Sequence, residues 1–301
     1  MKLKACIKSM RLRTLPLSLA GVVMGTFIAA TRQPLSTKCV VLLMTTTALL
    51  QILSNLSNEL GDTLQGTDTA DRQGIRYSLQ DGDMTITQMK RLIALIVCCC
   101  ALSGLGMIVC SCGTLFGVEP LLLVLLGAAA IAAAMRYTLG KKPYGYRGWG
   151  DFYVFIFFGL VSVIGGYYIH THDLTNPLLL LPASAIGFFS VGVLNVNNIR
   201  DIKTDILKRT TVALMLGTHR ARVYQTLLLA AGWVAMAVYT ALTTTHWTAW
   251  LYLLTLPLYV NHLHGVWHRL DYKLDPMLPL LVMSTFLFTL LAGFGMLLGI
   301  R

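Results

Sequence analysis

Nine stretches of this chain stay apolar long enough to cross a bilayer: 15–31, 39–57, 92–112, 119–138, 152–170, 177–196, 222–243, 247–264 and 277–299. A hydrocarbon core about 30 Å thick requires about 20 such residues in a helix. Polar and charged positions gather between the runs and at their ends. The pattern predicts an all-α integral membrane protein with nine transmembrane helices. The first run has the basic flank of a signal peptide, but eight further spans follow it, so it reads as an ordinary first helix. No linker divides the 301 residues, which read as one transmembrane domain, 1–301, with polar segments at about 58–91 and 197–221.

Composition agrees and narrows the alternatives. Charged residues make up 12% of the chain and hydrophobic ones 55%, with a mean hydropathy of +0.67. A soluble domain carries about 25% charged residues, so a water-soluble fold is excluded, as are disordered and collagen-like chains. The net charge of +11 has no soluble domain on which to form a nucleic-acid patch, so no nucleic-acid partner is expected. Cys98, Cys99, Cys100, Cys110 and Cys112 share one apolar run and read as small buried hydrophobes. No paired CxxC set suggests zinc. His264 and His268 share a helix face, but with no third partner at a ligand spacing they read as interface residues, together with His262.

The charges choose a face. With nine spans the termini lie on opposite sides, and all of the 24 Lys and Arg except Arg32, Lys38 and Arg301 fall on the side of the N-terminus. The positive-inside rule makes that side cytoplasmic and leaves the C-terminus outside. The acids follow the same division, with only Glu119 and Asp173 of the 13 on the other side. One face thus holds nearly all charge of both signs, as a site for an anion and a metal at a membrane surface would.

Two helix ends concentrate that chemistry. If the second helix continues past its apolar run, Asn55, Glu59 and Asp62 share one face, with Asn58 beside Asp62. The sixth helix ends with Asn197, Asp201 and Asp205 at an i, i+4, i+8 spacing, with Asn198 one position around and Asn195 opening the stretch. Like charges at i, i+4 destabilise an isolated helix, and a carboxylate at the bilayer centre costs about 2.5–3.5 kcal/mol on an insertion scale, less near the interface. Two such stripes on one face make sense if a cation bridges them. All-oxygen donors suit Mg²⁺, which commonly binds one or two carboxylates plus substrate phosphates. Donors for a pyrophosphate lie nearby in Arg72, Arg76, Lys141, Lys142, Lys203, Lys208 and Arg209. No Walker A sequence is present.

With these residues the chain resembles the UbiA superfamily of intramembrane aromatic prenyltransferases, and within it the branch that acts on 1,4-dihydroxy-2-naphthoate. The stretches that carry the resemblance are Arg13-Thr-Leu-Pro16, Leu50 to Asn58, Tyr137-Thr-Leu-Gly-Lys-Lys-Pro-Tyr-Gly-Tyr146, Gly150-Asp151, Phe157-Phe-Gly159 and Val193 to Asp205. It extends over essentially the whole chain. It implies a UbiA-type helical bundle in a prokaryotic cytoplasmic (inner) membrane. It also implies Mg²⁺-dependent transfer of a polyprenyl chain from polyprenyl pyrophosphate to 1,4-dihydroxy-2-naphthoate, with loss of CO2, giving demethylmenaquinol for menaquinone biosynthesis.

On this resemblance the metal motifs fall on Asn58, Glu59, Asp62 and Asp68, and on Asn198, Asp201 and Asp205, with Asp62, Asp201 and Asp205 catalytic. Asn55, Asn195, Asn198, Arg72, Arg76, Lys141, Lys203 and Arg209 are candidate substrate contacts. Tyr137 and Tyr144 could shield and stabilise the allylic cation. Tyr146 and Trp149 fit an aromatic belt at the membrane interface. Asp151, at the mouth of the fifth span, could orient or deprotonate a ring hydroxyl, or simply cap its helix. Three departures stand out: Glu59 replaces the family's usual Asp, Lys208-Arg209 its Gly-Lys, and the arginine of its Gly-Pro-x-Arg region is displaced to Arg76.

Two other readings remain at this stage. One is a prenyltransferase for a different aromatic acceptor, such as 4-hydroxybenzoate. The other is a transporter, against which stands the absence of any acid in mid-span.

Overall fold

A computed structural model describes residues 3–66, 76–206 and 208–299. Among them eleven α-helices are present and no β-strand, apart from one isolated bridge between Arg147 and Thr210. The helices are α1 (Leu3–Met10), α2 (Leu15–Ala30), α3 (Thr37–Leu64), α4 (Ile86–Cys112), α5 (Val118–Arg136), α6 (Gly150–Val154), α7 (Ser162–Thr171), α8 (Leu180–Asp205), α9 (Val212–Thr243), α10 (Leu256–His268) and α11 (Met277–Leu298).

Among the described residues, eight continuous helical segments are long and apolar enough to cross a membrane. The eighth predicted span, 247–264, is a 3-10 stretch, Trp247–Thr255, followed by α10 with Pro257 in its first turn. A proline at that position is tolerated because its missing N–H has no partner to lose. The fifth span is likewise composite: α6 passes through a π-helical stretch, Phe155–Val161, into α7. Such wide turns often mark functional positions.

The chain forms two compact units. The first comprises Met1–Leu15, Val41–Gly150 and Thr204–Thr211. Its core is aliphatic: Leu53, Leu56 and Leu60 of α3 meet Met89, Leu92, Ile93 and Ile96 of α4, with Ala5 and Cys6 of α1 closing one end. α4 starts at a capping box, in which Thr85 accepts from the Gln88 N–H and Gln88 reaches back, and stops at Gly113 in the left-handed region.

The second unit comprises Pro16–Val40, Asp151–Lys203 and Val212–Arg301, and its core is aromatic. Phe189, Trp233, Tyr259 and Phe288 interlock, with Phe189–Phe288 and Trp233–Tyr259 edge-to-face at 5.2 Å each. In lipid, tail-exposed and buried apolar surface differ little, so close packing drives helix association. Gly159 shows the consequence: a Cβ there would stand 2.6 Å from the Ala183 carbonyl and 2.7 Å from the Gly187 Cα. The fifth and sixth spans therefore pack backbone to backbone.

The property that matters for function is length. α3 and α8 have 28 and 26 residues, about 40 Å at 1.5 Å per residue, against about 30 Å of hydrocarbon. Both run beyond their apolar stretches and carry the acidic stripes on their final turns.

Candidate active site: two acidic helix ends

In the first unit the last two turns of α3 are held from several sides. Asn55, 4% exposed, donates to the Met10 carbonyl at 2.8 Å and to Thr14 Oγ1 at 2.9 Å. It accepts from Gln51 at 3.0 Å. These bonds make Asn55 a tie between α3 and the amino-terminal segment. Thr138 donates to the Ser57 carbonyl at 2.9 Å and to Asn58 Oδ1 at 3.2 Å. Gly61 permits this approach, because a Cβ there would lie 2.6 Å from the Thr138 side chain.

Glu59 is fully buried, and its Oε1 accepts the Leu79 N–H at 2.9 Å. Asp62, 6% exposed, accepts a hydrogen bond from the Tyr146 hydroxyl. The same Tyr146 accepts the Thr210 N–H on its carbonyl at 2.9 Å, and Gly148 donates to the Thr210 carbonyl at 3.0 Å. One tyrosine thus joins Asp62 to the segment that follows Asp205. This gives Tyr146 a bonded partner beyond the interfacial-belt role expected of it. Trp149, 56% exposed, keeps that reading. Asp205 itself is 4% exposed and ion-paired with Arg209 at 2.7 Å.

Tyr137 and Tyr144 meet edge-to-face at 5.3 Å, and the Tyr144 hydroxyl donates to the Ala133 carbonyl at 2.7 Å. Lys141 is exposed. Arg76 binds Asp81 at 2.9 Å. The Lys8 ammonium, hydrogen-bonded to Asp81, and Arg76 beside it hold the Asp81 carboxyl below the usual carboxylate range. Asp68 and Arg72 lie outside the described residues.

In the second unit the stripe on α8 is organised by Arg200, one of the many basic residues on the N-terminal side. Its guanidinium donates to Asp201 through Nε at 2.7 Å and Nη2 at 2.8 Å. It also donates to Asp275 at 2.7 Å and to Asn197 at 2.9 Å. Asp201 and Asn198 are 3% and 4% exposed. Lys203 instead pairs with Asp271 at 2.9 Å, with side chains 76% and 42% exposed.

Magnitudes separate these ion pairs. An exposed pair contributes about 0–1 kcal/mol, whereas removing one partner of a buried pair costs about 3–5 kcal/mol. Arg200 and Arg209 therefore matter to the stripe and Lys203 does not. The adjacency of Arg200 to Asp201 was a usable sequence signal, as was the Pro-Tyr-Gly-Tyr turn that presents Tyr146.

Two further predicted residues have partners of their own in the second unit. Asn195 is fully buried and donates to the Ala221 carbonyl and to Gln225. Asp151, in the first turn of α6, accepts from the Tyr224 hydroxyl at 3.1 Å. Nothing local in the sequence marked Tyr224, which is 73 positions away.

Buried carboxylates and carboxamides gathered on two helix ends offer hard oxygen donors, with arginines alongside. That donor set suits a divalent cation and a phosphate-bearing substrate. It defines an intramembrane enzyme of the prenyl-transferring class. Residues 18–290 match the UbiA prenyltransferase family, and the chain belongs to that family.

The chain is 38% identical to the 1,4-dihydroxy-2-naphthoate octaprenyltransferase of Escherichia coli (strain K12), over 98% of this chain and 96% of that protein. It is 36% identical to the enzyme of the same name from Haemophilus influenzae, over 99% and 97%. Its fold is similar to the apo structure of a UbiA homolog from Aeropyrum pernix K1, with a TM-score of 0.70 and 18% identity, covering 96% of this chain and 98% of that one. It is also similar to a UbiA homolog from Archaeoglobus fulgidus bound to GPP and Mg²⁺, with a TM-score of 0.63 and 15% identity over 95% and 99% of the two chains.

Proposed function

We propose that this protein transfers a polyprenyl chain from polyprenyl pyrophosphate to 1,4-dihydroxy-2-naphthoate, which loses CO2 as the prenyl group takes its place. The observation that carries this reading is 36–38% identity, over nearly the full length of both chains, to two relatives named for that acceptor. The buried acidic helix ends support it independently, since a pyrophosphate leaving group needs cations and the donor set needs a metal.

Asn58, Asp62 and Asp205 would hold Mg²⁺, with Asp201 one turn before Asp205 and with Glu59, one oxygen of which holds Leu79. When bound, the metal would neutralise the pyrophosphate as charge develops on its bridging oxygen. Tyr146 orients Asp62 and anchors the segment after Asp205. Arg200 fixes Asp201, and Arg209 stands where it can exchange Asp205 for a phosphate oxygen. Tyr137 and Tyr144 offer aromatic faces to an allylic cation. The cationic bias supports an N-terminus and acidic face in the cytoplasm and a C-terminus outside. The protein would work in a prokaryotic inner membrane, with the bilayer holding the prenyl tail.

A competition assay tests the acceptor. Purified protein in nanodiscs receives a polyprenyl pyrophosphate, Mg²⁺ and equal amounts of 1,4-dihydroxy-2-naphthoate and 4-hydroxybenzoate. Prenylated naphthoquinol as the dominant product is the expected result. Prenylated hydroxybenzoate would overturn the acceptor, and no prenylation of either would overturn the enzyme reading.

A further inference from the structure

Within the second unit, one helical turn of α9, Ala221 to Gln225, carries two polar groups that the acidic stripes do not use. On one side Tyr224 donates to Asp151 Oδ2 at 3.1 Å. On the other, Asn195 donates both amide hydrogens, to the Ala221 carbonyl at 3.0 Å and to Gln225 Oε1 at 2.9 Å. Gln225 Nε2 then meets His262 Nε2 at 3.1 Å, and His262 Nδ1 meets the Met277 carbonyl at 3.0 Å.

The Met277 carbonyl can only accept, so Nδ1 carries the imidazole proton and Nε2 accepts from Gln225. This fixes every amide in the chain. It leaves Asn195 Oδ1 buried, with no donor among the described residues. Such a group costs about 1–3 kcal/mol and suits a ligand hydroxyl.

Asp151 is 9% exposed, and among the described residues no lysine or arginine pairs with it. A buried carboxylate whose side-chain partner among the described residues is a phenol is expensive for stability and, at the edge of a membrane span, marks function. The close packing of Gly159 on Gly187 keeps the fifth span, which Asp151 opens, directly against α8, which carries Asn195.

We propose that Asp151 is the catalytic acid–base for the aromatic acceptor and that Tyr224 is its positioning residue. This rests on the naphthoate reading above. The Asp151 carboxylate takes the proton from the ring hydroxyl next to the carboxyl-bearing carbon. The C–O bond of the donor breaks to leave an allylic cation, the freed electron pair of the phenolate passes into the ring, and the carboxyl-bearing carbon bonds to the first carbon of that cation. Pyrophosphate leaves with the bonding electrons. The new quaternary carbon, now beside a ketone, releases CO2, and the resulting enolate oxygen takes the proton back from Asp151. Atoms and electrons balance with no outside oxidant. Tyr224 occupies Oδ2, which directs Oδ1 to the substrate.

The test separates the two halves of the reaction. One readout is prenyl transfer to naphthoate; the other is scrambling of an ¹⁸O label between bridging and non-bridging positions of the pyrophosphate donor without acceptor. Asp151→Ala is expected to lose transfer by about 100-fold or more, the usual contribution of general acid–base catalysis, while label scrambling persists and added formate restores part of the transfer. Tyr224→Phe is expected to lower kcat about tenfold with the donor KM unchanged, and formate should not rescue it.

Equal loss of scrambling and transfer in Asp151→Ala, no rescue by formate, or wild-type turnover in Tyr224→Phe would each overturn the pair. Failure of the wild-type protein to prenylate naphthoate would instead overturn the underlying reading. Asp151→Asn, which keeps the shape, guards against loss of fold and is expected to match Asp151→Ala in turnover without rescue.

Discussion

The two acidic helix ends carry the same residue types but are held differently. The partners described for the end of α3 are a tyrosine hydroxyl on Asp62, a backbone N–H on Glu59 and a threonine hydroxyl on Asn58. Those of α8 are guanidinium groups, Arg200 on Asp201 and Arg209 on Asp205. Neutral donors aim a carboxylate without supplying charge, whereas a guanidinium does both. Removing a partner should therefore disturb catalysis at the first end and the folded state at the second.

The largest expected effect comes from the carboxylates themselves. Asp62→Asn should lower turnover by about 100-fold or more with stability little changed, as measured by product formation beside thermal unfolding in detergent. Asp201→Asn should lower it as much while also lowering the transition temperature, since Arg200 then keeps only Asp275 as a carboxylate partner among the described residues. Near-normal turnover in either would remove that residue from the site. Next comes Arg200→Leu, which strands buried Asp201 and leaves half-buried Asp275 without its guanidinium, and should cost about 3–5 kcal/mol. A transition temperature equal to wild type would erase the contrast between the two ends. Tyr146→Phe should cost about 1.5–3 kcal/mol, the value of a hydrogen bond to a charged group, appearing as weaker Mg²⁺ activation with stability little changed.

The smallest effects lie at the surface. Lys203→Ala should change stability by less than about 1 kcal/mol. Asp81 has a carboxyl pKa lowered chiefly by Lys8, so its stabilisation is present above the unfolded carboxylate pKa and lost as pH falls through the folded one. Asp81→Asn should flatten that acid limb of the unfolding curve, and an unchanged limb would show that the contact is idle.

Much of this was legible in the sequence. Hydropathy located nine spans because burying polar groups in lipid is so costly that it dominates every other signal. The same signal ended the second and sixth spans at Ser57 and Val196, whereas α3 and α8 continue to Leu64 and Asp205. Hydropathy reports the thickness of the bilayer, and backbone hydrogen bonding continues beyond it. The 3-10 start of the eighth span was not legible, since tertiary packing decides between helix types there.

The site followed a similar division. Carboxylate spacing pointed to both stripes, because helical periodicity is local. Asn55 proved to be a structural tie and Arg76 a partner of Asp81. Arg200 and Tyr146 bond directly to Asp201 and Asp62. Which side chain reaches which depends on contacts between spans, and Tyr224 with Asp151 shows how far apart in sequence such partners lie.

The most direct measurement of the central claim uses carboxyl-labelled 1,4-dihydroxy-2-naphthoate and a polyprenyl pyrophosphate, with wild-type protein and Asp62→Asn in nanodiscs, with and without Mg²⁺. The account expects labelled CO2 from the wild type only with Mg²⁺ and at least about 100-fold less from Asp62→Asn. Equal release by the two proteins, or release that ignores Mg²⁺, would contradict it.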